Sequence, residues 1–473
     1  MTIPEEVKNI IKKLEKAGFS AYVVGGCVRD FLLKKEPKDW DITTSAKPEE
    51  IIKIFPKGRY ENKFGTVVIG EVEVTTYRIE AKYTDKRHPD AVRFAMKLED
   101  DLARRDFTIN AIAMGVDSKI SNIIDPFQGQ NDLNKKVVRA VGNPEERFNE
   151  DALRLLRAVR FACELDFKIE EQTAAAIKKL AANLKFISCE RVRDEFSKII
   201  LSNRPEQGLR ELYNLGLLQY IIPELLAGVG MEQPKHHIYT VFEHAVKSLG
   251  FCKSQKIEVR LASLLHDIAK PYARRGRGSE ATFYGHNVRG AYMSRKILNR
   301  LKYPKKVVEK VAHLIRHHMF VYNIGEVTAA GVRRLLAKVG PENMEDLIAL
   351  RVADRLGSGC PKAKPYKLRH LEYMIEKVSR DPISPKMLKI NGNNIMKILN
   401  IKPGPKVGLL VNALLAEVLE NPKVNKKTSL EKRVLKLAKL PEKELKVKFS
   451  VINEEKKKED LAIRNKHWLA EED

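Results

Sequence analysis

The run AYVVGGCVRDFLL (residues 21–33), followed after five residues by DWDIT (39–43), decides how the chain folds at its N-terminal end. A short apolar, β-branched run ends on Gly25-Gly26 and passes into a helical pattern, so it reads as strand, tight turn, helix. A helix that opens on such a turn presents free backbone N–H groups, and these favour a phosphate. Arg29, in the first turns of that helix, can pair with the same anion. Asp39 and Asp41 stand two apart on a second predicted strand, which puts both carboxylates on one face. Adjacent carboxylates repel, and divalent cations relieve the repulsion; their hard oxygens suit Mg2+. Two such ions can hold an attacking hydroxyl and a leaving pyrophosphate in line. A third acid on a neighbouring strand would complete the set, with Glu73 in EVEVTTYR (71–78) the best candidate and Glu71 the runner-up. Taken alone, the acid pair can equally be a surface D-x-D on an edge strand; the intervening helix weighs against that reading.

Short strand patterns continue to about residue 141, interrupted by a polar stretch at 79–93 that reads as a loop. Beyond it the strand signals stop. Residues 145–227 carry apolar residues at helical spacing, GVGMEQPKHH (228–237) reads as a linker, and a histidine-rich helical block covers 238–356. A further helical block spans 386–440, and 441–473 is rich in Lys and Glu with few apolar residues. The 473 residues are 43% hydrophobic and 32% charged, with a formal net charge of +25. That composition excludes a disordered chain, and no apolar run is long enough to cross a membrane. The first eighteen residues read as a charged amphipathic helix rather than a signal peptide. Five scattered cysteines with no CxxC pair give neither a disulfide frame nor a zinc ribbon, which points to a reduced, cytoplasmic protein. The positive excess points to a polyanionic partner.

The string VVGGCVRDFLL…DWDIT resembles the head of the class II tRNA nucleotidyltransferase and bacterial poly(A) polymerase family. The resemblance continues in order through RRDFTINA (104–111), DPFQG (125–129) with Asp132-Leu133, EDALRLLR (150–157) and Glu190-Arg191, and GPKVGLLVNALLAEVLENP near the C-terminal end resembles that family's body. It implies an α+β protein: a polymerase-β-like nucleotidyltransferase head with a small mixed sheet, followed by an all-α neck, a metal domain and a C-terminal helical body. The boundaries expected are 1–142 for the head, 143–227 for a neck that recognises the nucleotide, 228–357 for the metal domain, 358–440 for a tRNA-binding body, and 441–473 for a charged tail. The implied chemistry is attack of an RNA 3′-hydroxyl on the α-phosphate of ATP or CTP, without a nucleic-acid template. Asp39 and Asp41, with Glu73, would hold Mg2+. Gly25, Gly26, Arg29 and Arg105 would hold the triphosphate, and Asp106 and Asn110 the ribose; Asp106 can equally cap the following turn.

Asp151, Arg154, Arg157 and Arg160 recur at a spacing of three, which traces a slowly turning stripe on a helix. A carboxylate accepts hydrogen bonds and a guanidinium donates them, so together they can copy the pairing edge of a base. In the resembling family the equivalents of Asp151 and Arg154 read C or A in this way, those of Arg157 and Arg160 bind the nucleotide, and Glu190-Arg191 would brace the helix. The stretch Lys57–Gly65 departs from the basic signature of the poly(A) polymerases, which favours a tRNA enzyme. The intact loop with Arg78, Tyr83, Asp85, Arg87 and Pro89 supports addition of the terminal A. Whether the product is CCA or only its terminal A stays open, with poly(A) polymerase as the alternative.

His244, then the adjacent His266-Asp267 within an apolar pattern, then Asp354 resemble the four ligands of the HD phosphohydrolase superfamily. His286 and either His317 or His318 match the extra histidines of its two-metal members. This implies a divalent transition metal or Mg2+ in the metal domain. It allows phosphatase or phosphodiesterase action on RNA ends, and a variant reading keeps only that activity and makes the head an RNA platform.

Overall fold

The computed structural model describes residues 3–60, 65–80, 92–115, 122–234, 238–276, 278–320, 322, 327–360, 362–442 and 444–445. The chain divides into two compact units, Met1–Pro223 and Glu224–Asp473.

The first unit begins with α1 (Glu5–Lys16), whose Val7, Ile10, Ile11 and Leu14 follow the helical period and are buried. It packs on β1 (Ala21–Val24). The Gly25-Gly26 turn then starts α2 (Gly26–Leu32). The strands that follow are β2 (Asp41–Thr44), β3 (Arg59–Tyr60), β4 (Thr66–Ile69) and β5 (Val72–Thr76), with α3 (Pro48–Ile54) between β2 and β3. Next come a hairpin of β6 (Arg78–Glu80) and β7 (Val92–Phe94), then α4 (Leu98–Ala103), β8 (Ala113–Met114) and β9 (Ile123–Ile124). Among the described residues the main sheet is mixed and runs β3-β4-β5-β2-β1-β8-β9. β2 lies at its centre, antiparallel to β1 and parallel to β5. Strand β2 therefore carries its chemistry out of the middle of a pinned register, where Ile42, Thr43 and Thr44 are fully buried.

Helices α5 (Gly129–Lys135), α6 (Pro144–Glu150), α7 (Arg154–Leu165), α8 (Glu171–Leu180), α9 (Cys189–Leu201) and α10 (Pro205–Asn214) complete this unit. The expectation that 145–227 is wholly helical needs correction. β10 (Val137–Val138) pairs in parallel with β11 (Lys168–Ile169) and ties the neck back to the head. β11 has only two residues, too few to show a strand period, which is why the sequence hides it.

The second unit holds α11 (Val241–Phe251), α12 (Ile257–Leu265), α13 (Lys270–Ala273), α14 (His286–Arg300), α15 (Lys305–His317), α16 (Ala329–Val339), α17 (Pro341–Gly357), α18 (Tyr366–Val378), α19 (Gly392–Leu399), α20 (Pro405–Glu420) and α21 (Lys427–Leu437). α20 starts at the Gly404-Pro405 turn. The histidines sit where α11, α12, α14, α15 and α17 pack together. α11 and α17 approach closely at Gly357, where an added Cβ would stand 2.1 Å from Ser248 Oγ and 2.8 Å from Ser248 Cα. The tail at 446–473, and residues 83–89 of the polar loop, lie outside the described residues.

The contact at Gly357 yields a stability prediction. Gly357→Val should destabilise the second unit by about 1–3 kcal/mol through overpacking. Denaturant unfolding should show the loss, with the first unit's transition unmoved.

Candidate functional site

A cleft of about 910 Å3 in the first unit gathers most of the sequence-predicted residues. Gly26, Arg29, Asp39, Asp41, Arg105, Asp106, Asn110, Arg157 and Arg160 all line it. The expected placement of Asp39 on a strand is corrected: β2 begins at Asp41, and Asp39 stands in the bend before it. The two carboxylates nevertheless reach the same cleft. Burial raises the Asp41 carboxyl above its ordinary value; Arg105 opposes this and Asp39 adds to it. Glu73 does not line the cleft, but it lies directly opposite Asp41 in the parallel β2–β5 register, so the two share a sheet face.

Gly25 has φ +87° and caps α2. An added Cβ there would meet Arg105 Nη1 at 2.8 Å and Asp41 Oδ2 at 3.8 Å. The turn thus needs glycine for its backbone and again for the guanidinium laid across it. Arg105 is held from behind by Asp101, a fully buried acid that the sequence reading did not single out. Its carboxylate meets Arg104 Nη2 at 2.7 Å and Arg105 Nη2 at 3.6 Å, and accepts from Thr43 Oγ1 at 3.1 Å. Burial pushes this carboxyl up, but the charges of Arg104 and Arg105 outweigh it and hold the group below its ordinary value.

Asp106 is the centre of a second set of bonds. One oxygen accepts from the Phe107 N–H at 2.9 Å and from Asn110 Nδ2 at 3.1 Å; the other accepts from Arg157 Nε at 2.7 Å. Asp106 does not cap the following turn, whose N-cap is Phe107 without a side-chain bond; it ties the Phe107 N–H and Asn110 to Arg157 beside the cleft. Asn110 Oδ1 in turn accepts from Arg29 Nη1 at 2.8 Å. A continuous line of hydrogen bonds thus joins α2 to α7. Burial opposes a charge on Asp106, yet Arg157, Asn110 and Arg154 overcome it and draw the carboxyl down to about 2. Arg29, Arg157 and Arg160 also converge on the Phe161 ring, with guanidinium carbons 5.2, 5.3 and 4.3 Å from its centroid. Phe161 reads in the sequence as one more core residue; its role as a platform for three cations depends on contacts that no local pattern carries. Arg160 is nearly buried and faces Glu195, with Nε 3.2 Å from Oε2.

A smaller cavity of about 290 Å3 shares Arg105, Asp106 and Arg157 with the main cleft and holds Asp151, Arg154 and Arg191. Asp151 is not on the helix that carries the arginines. It adopts an extended conformation after α6, and its Oδ1 accepts from the Leu153 N–H at 3.0 Å, which turns the chain into α7. Arg191 engages both oxygens of Asp151, at 3.3 and 2.7 Å, so its expected bracing role is directed at the acid itself. Arg154 donates to Glu150 Oε2 at 2.6 Å and to the Arg104 carbonyl at 2.9 Å.

In the second unit His244, His266 and Asp354 form one group whose ligand atoms lie within 4.8 Å of one another; Asp267, His286 and His318 form another. His318 joins this cage rather than His317. His266 and Asp267 follow α12 rather than lying inside it. Asp267 spans the groups: Oδ2 lies 3.2 Å from His244 Nε2 and 3.3 Å from His266 Nε2, and Oδ1 lies 3.3 Å from His286 Nε2. The Nδ1 atoms of His266, His286 and His318 face the carbonyls of Ser263, Phe283 and Ile315 at 2.9, 2.7 and 2.7 Å. Each carbonyl claims the Nδ1 proton and leaves Nε2 as the basic nitrogen, as metal-ligating imidazoles require. Burial disfavours a charged His266, but Asp267 and Asp354 prevail and push it up to about 10, whereas burial beside His266 and His286 drives His318 down to about 3. A cage that draws positive charge onto one ring while denying it to another fits a divalent cation. Lys270, also missed in the sequence, closes on Asp267 Oδ2 at 2.6 Å.

Comparison with known proteins adds the following. The poly A polymerase head domain matches residues 21–139, the probable RNA and SrmB-binding site of polymerase A matches 166–228, and the HD domain matches 236–358. A CCA-adding enzyme of Enterococcus faecalis is 34% identical over 451 residues, 91% of this chain and 96% of that protein. A CCA-adding enzyme of Ligilactobacillus salivarius is 49% identical over 226 residues, so the match spans about half of each, 46% of this chain and 55% of the relative. The crystal structure of the Bacillus stearothermophilus CCA-adding enzyme in complex with CTP superposes with TM-score 0.72 at 29% identity, covering 93% of this chain and 98% of that one.

The Asp106–Arg157 pair gives a pH prediction. Because the folded-state value of Asp106 lies below that of the unfolded chain, its stabilisation is complete above about pH 4 and is lost as pH falls through about 2. Arg157→Met leaves a buried carboxylate unpaired and should destabilise the first unit by about 3 kcal/mol at neutral pH. NMR titration of the Asp106 carboxyl should show its midpoint moving up from the wild-type value.

Proposed function

We propose a function from the premise that this chain belongs to the family of CCA-adding enzymes, nucleotidyltransferases with a poly A polymerase head. It is a template-independent tRNA nucleotidyltransferase that uses CTP and ATP to add CCA, or its terminal A, to the tRNA 3′ end in the cytoplasm. The observation that carries this reading is one cleft with an acid pair, Asp39 and Asp41, facing a set of guanidiniums from α2, the 104–110 segment and α7.

In this reading Gly25 and Gly26 keep side chains away from the triphosphate, while Arg29 and Arg105 bind its oxygens. Asp39 and Asp41, with Glu73 beside Asp41 on the neighbouring strand, hold Mg2+. When bound, the metal screens the phosphate charge and aligns the attacking and leaving oxygens. Asp106 and Asn110 orient the ribose. Asp151 and Arg154 offer one acceptor and one donor to the base, so selection between C and A comes from side chains. Arg191 sets the direction of the Asp151 carboxylate, and Arg157 and Arg160 hold the rest of the nucleotide against the Phe161 wall. The head and neck (1–142 and 143–227) carry addition, and 358–440 contacts tRNA. In the metal domain (228–357), His244, His266, Asp267 and Asp354 hold one divalent ion and His286 and His318 help hold a second, for hydrolysis of a phosphoester.

The test uses tRNA substrates ending in the discriminator base, in C and in CC, with sequencing of the products. Addition to all three is CCA synthesis; addition to CC alone is A addition. A homopolymeric A product would favour a poly(A) polymerase instead. Asp39→Ala should lower incorporation on the order of 10³-fold. Incorporation that survives this substitution would refute the acid-pair assignment. Asp267→Ala should remove bound metal from the second unit and leave nucleotide addition intact.

A further inference from the structure

Beside the histidine cage, the second unit has a cavity of about 480 Å3 that contains Asp267, His286, His318 and Asp354. One wall of it comes from α17. Arg351, Asp354 and Arg355 stand at i, i+3 and i+4, so all three share a helix face and all three line the cavity. Arg351 is partly exposed and donates from Nη1 to Asp354 Oδ2 at 2.9 Å. Asp354 thus turns one oxygen to Arg351, while its other oxygen lies 3.4 Å from His244 Nε2. Arg355 differs. Its Nε is buried and makes no hydrogen bond, and among the described residues its guanidinium has no acid partner. A half-buried guanidinium with no acid beside it is costly to leave without an anion.

We propose that Arg355, with Arg351 beside it, binds the phosphate group of the substrate handled in this cavity. The proposal rests on the reading of the cage as a metal site. Three cations, Lys270, Arg351 and Arg355, line the cavity against two acids, Asp267 and Asp354. A divalent ion in the cage makes the balance strongly positive, which suits a phosphate dianion. The guanidinium fork fits two phosphate oxygens at once, a match that an ammonium cannot reproduce. The cavity is larger than a phosphate needs, and its lining also includes Phe283 and the 77% exposed Tyr284. Those rings offer a flat apolar surface to a planar group attached to the phosphate. The ligand class is therefore a phosphate carried on a nucleoside, with the phosphate on α17 and the base toward Tyr284.

Equilibrium dialysis of the full-length, metal-loaded protein with labelled inorganic phosphate tests this, since anion sites in the first unit are common to every variant. Arg355→Gln should weaken one phosphate site by about tenfold to a hundredfold, with metal content per chain unchanged. Arg355→Lys, which keeps the charge and loses the fork, should fall between. With adenosine 3′-monophosphate as the probe, Tyr284→Ala should weaken binding while inorganic phosphate binding stays as in wild type. Metal retained with equal phosphate affinity in wild type and Arg355→Gln overturns the anion wall. A wild-type chain that binds no metal in the second unit overturns the cage reading and this proposal with it. Equal adenosine 3′-monophosphate binding in wild type and Tyr284→Ala overturns the placement of the base.

Discussion

The buried carboxylate of Asp106 fixes the geometry on which the first unit's cleft depends. It lies between the head and α7 and has bonds in both directions: the Phe107 N–H and Asn110 on one side, Arg157 on the other. Through Asn110 it reaches Arg29 on α2. Breaking such a pair leaves an uncompensated charge in the interior, so the arrangement is all or none. The strand–turn–helix at 21–32 and the neck helix at 154–165 are therefore held in one register by polar bonds rather than by apolar packing alone.

The charge of the cleft sharpens what the net charge of +25 means. Seven Lys and Arg residues line it, but six Asp and Glu residues do so as well. The cleft is close to neutral, so its affinity for a triphosphate cannot be a bulk attraction. It depends on sorting: acids at the β2 edge, guanidiniums across from them, each arginine aimed by an acid behind it. Asp101 aims Arg105, Asp106 holds Arg157, and Glu195 faces Arg160. Most of the positive excess therefore lies outside the cleft, on surfaces where counterion release favours a phosphate backbone.

Much of this was legible in the sequence because the residues that line the cleft sit close together in short segments. VVGGCVRD and DWDIT need only a local turn and a local strand to define their faces. The errors were also local: Asp39 precedes β2, and Asp151 caps a turn rather than extending the stripe of arginines. A spacing of three cannot reveal that the helix begins only at Arg154, three residues after Asp151. What the sequence hid is the layer behind. Asp101 meets Thr43 from 58 residues away, and Arg191 meets Asp151 from 40 residues away. No periodicity encodes such pairs. Gly357 is invisible for the same reason, since its meaning lies in how near α11 comes.

The two sites solve one electrostatic problem in different ways. In the head, Asp39 and Asp41 sit near arginines, which keeps their mutual repulsion tolerable at a half-open cleft. In the second unit the acids and histidines of the cage are almost wholly buried; Asp267 and Asp354 each meet one cation, Lys270 or Arg351, and otherwise face imidazoles at 3.2–3.9 Å. Burial amplifies every charge there, so the cage draws a proton onto His266 while its Nδ1 is committed to a backbone carbonyl. A divalent cation held there would replace that proton and relieve the conflict between His244 and His266, whose Nε2 atoms lie 2.9 Å apart. The cage is thus organised around a charge its own residues do not supply, and the arginines of α17 are organised around one of opposite sign.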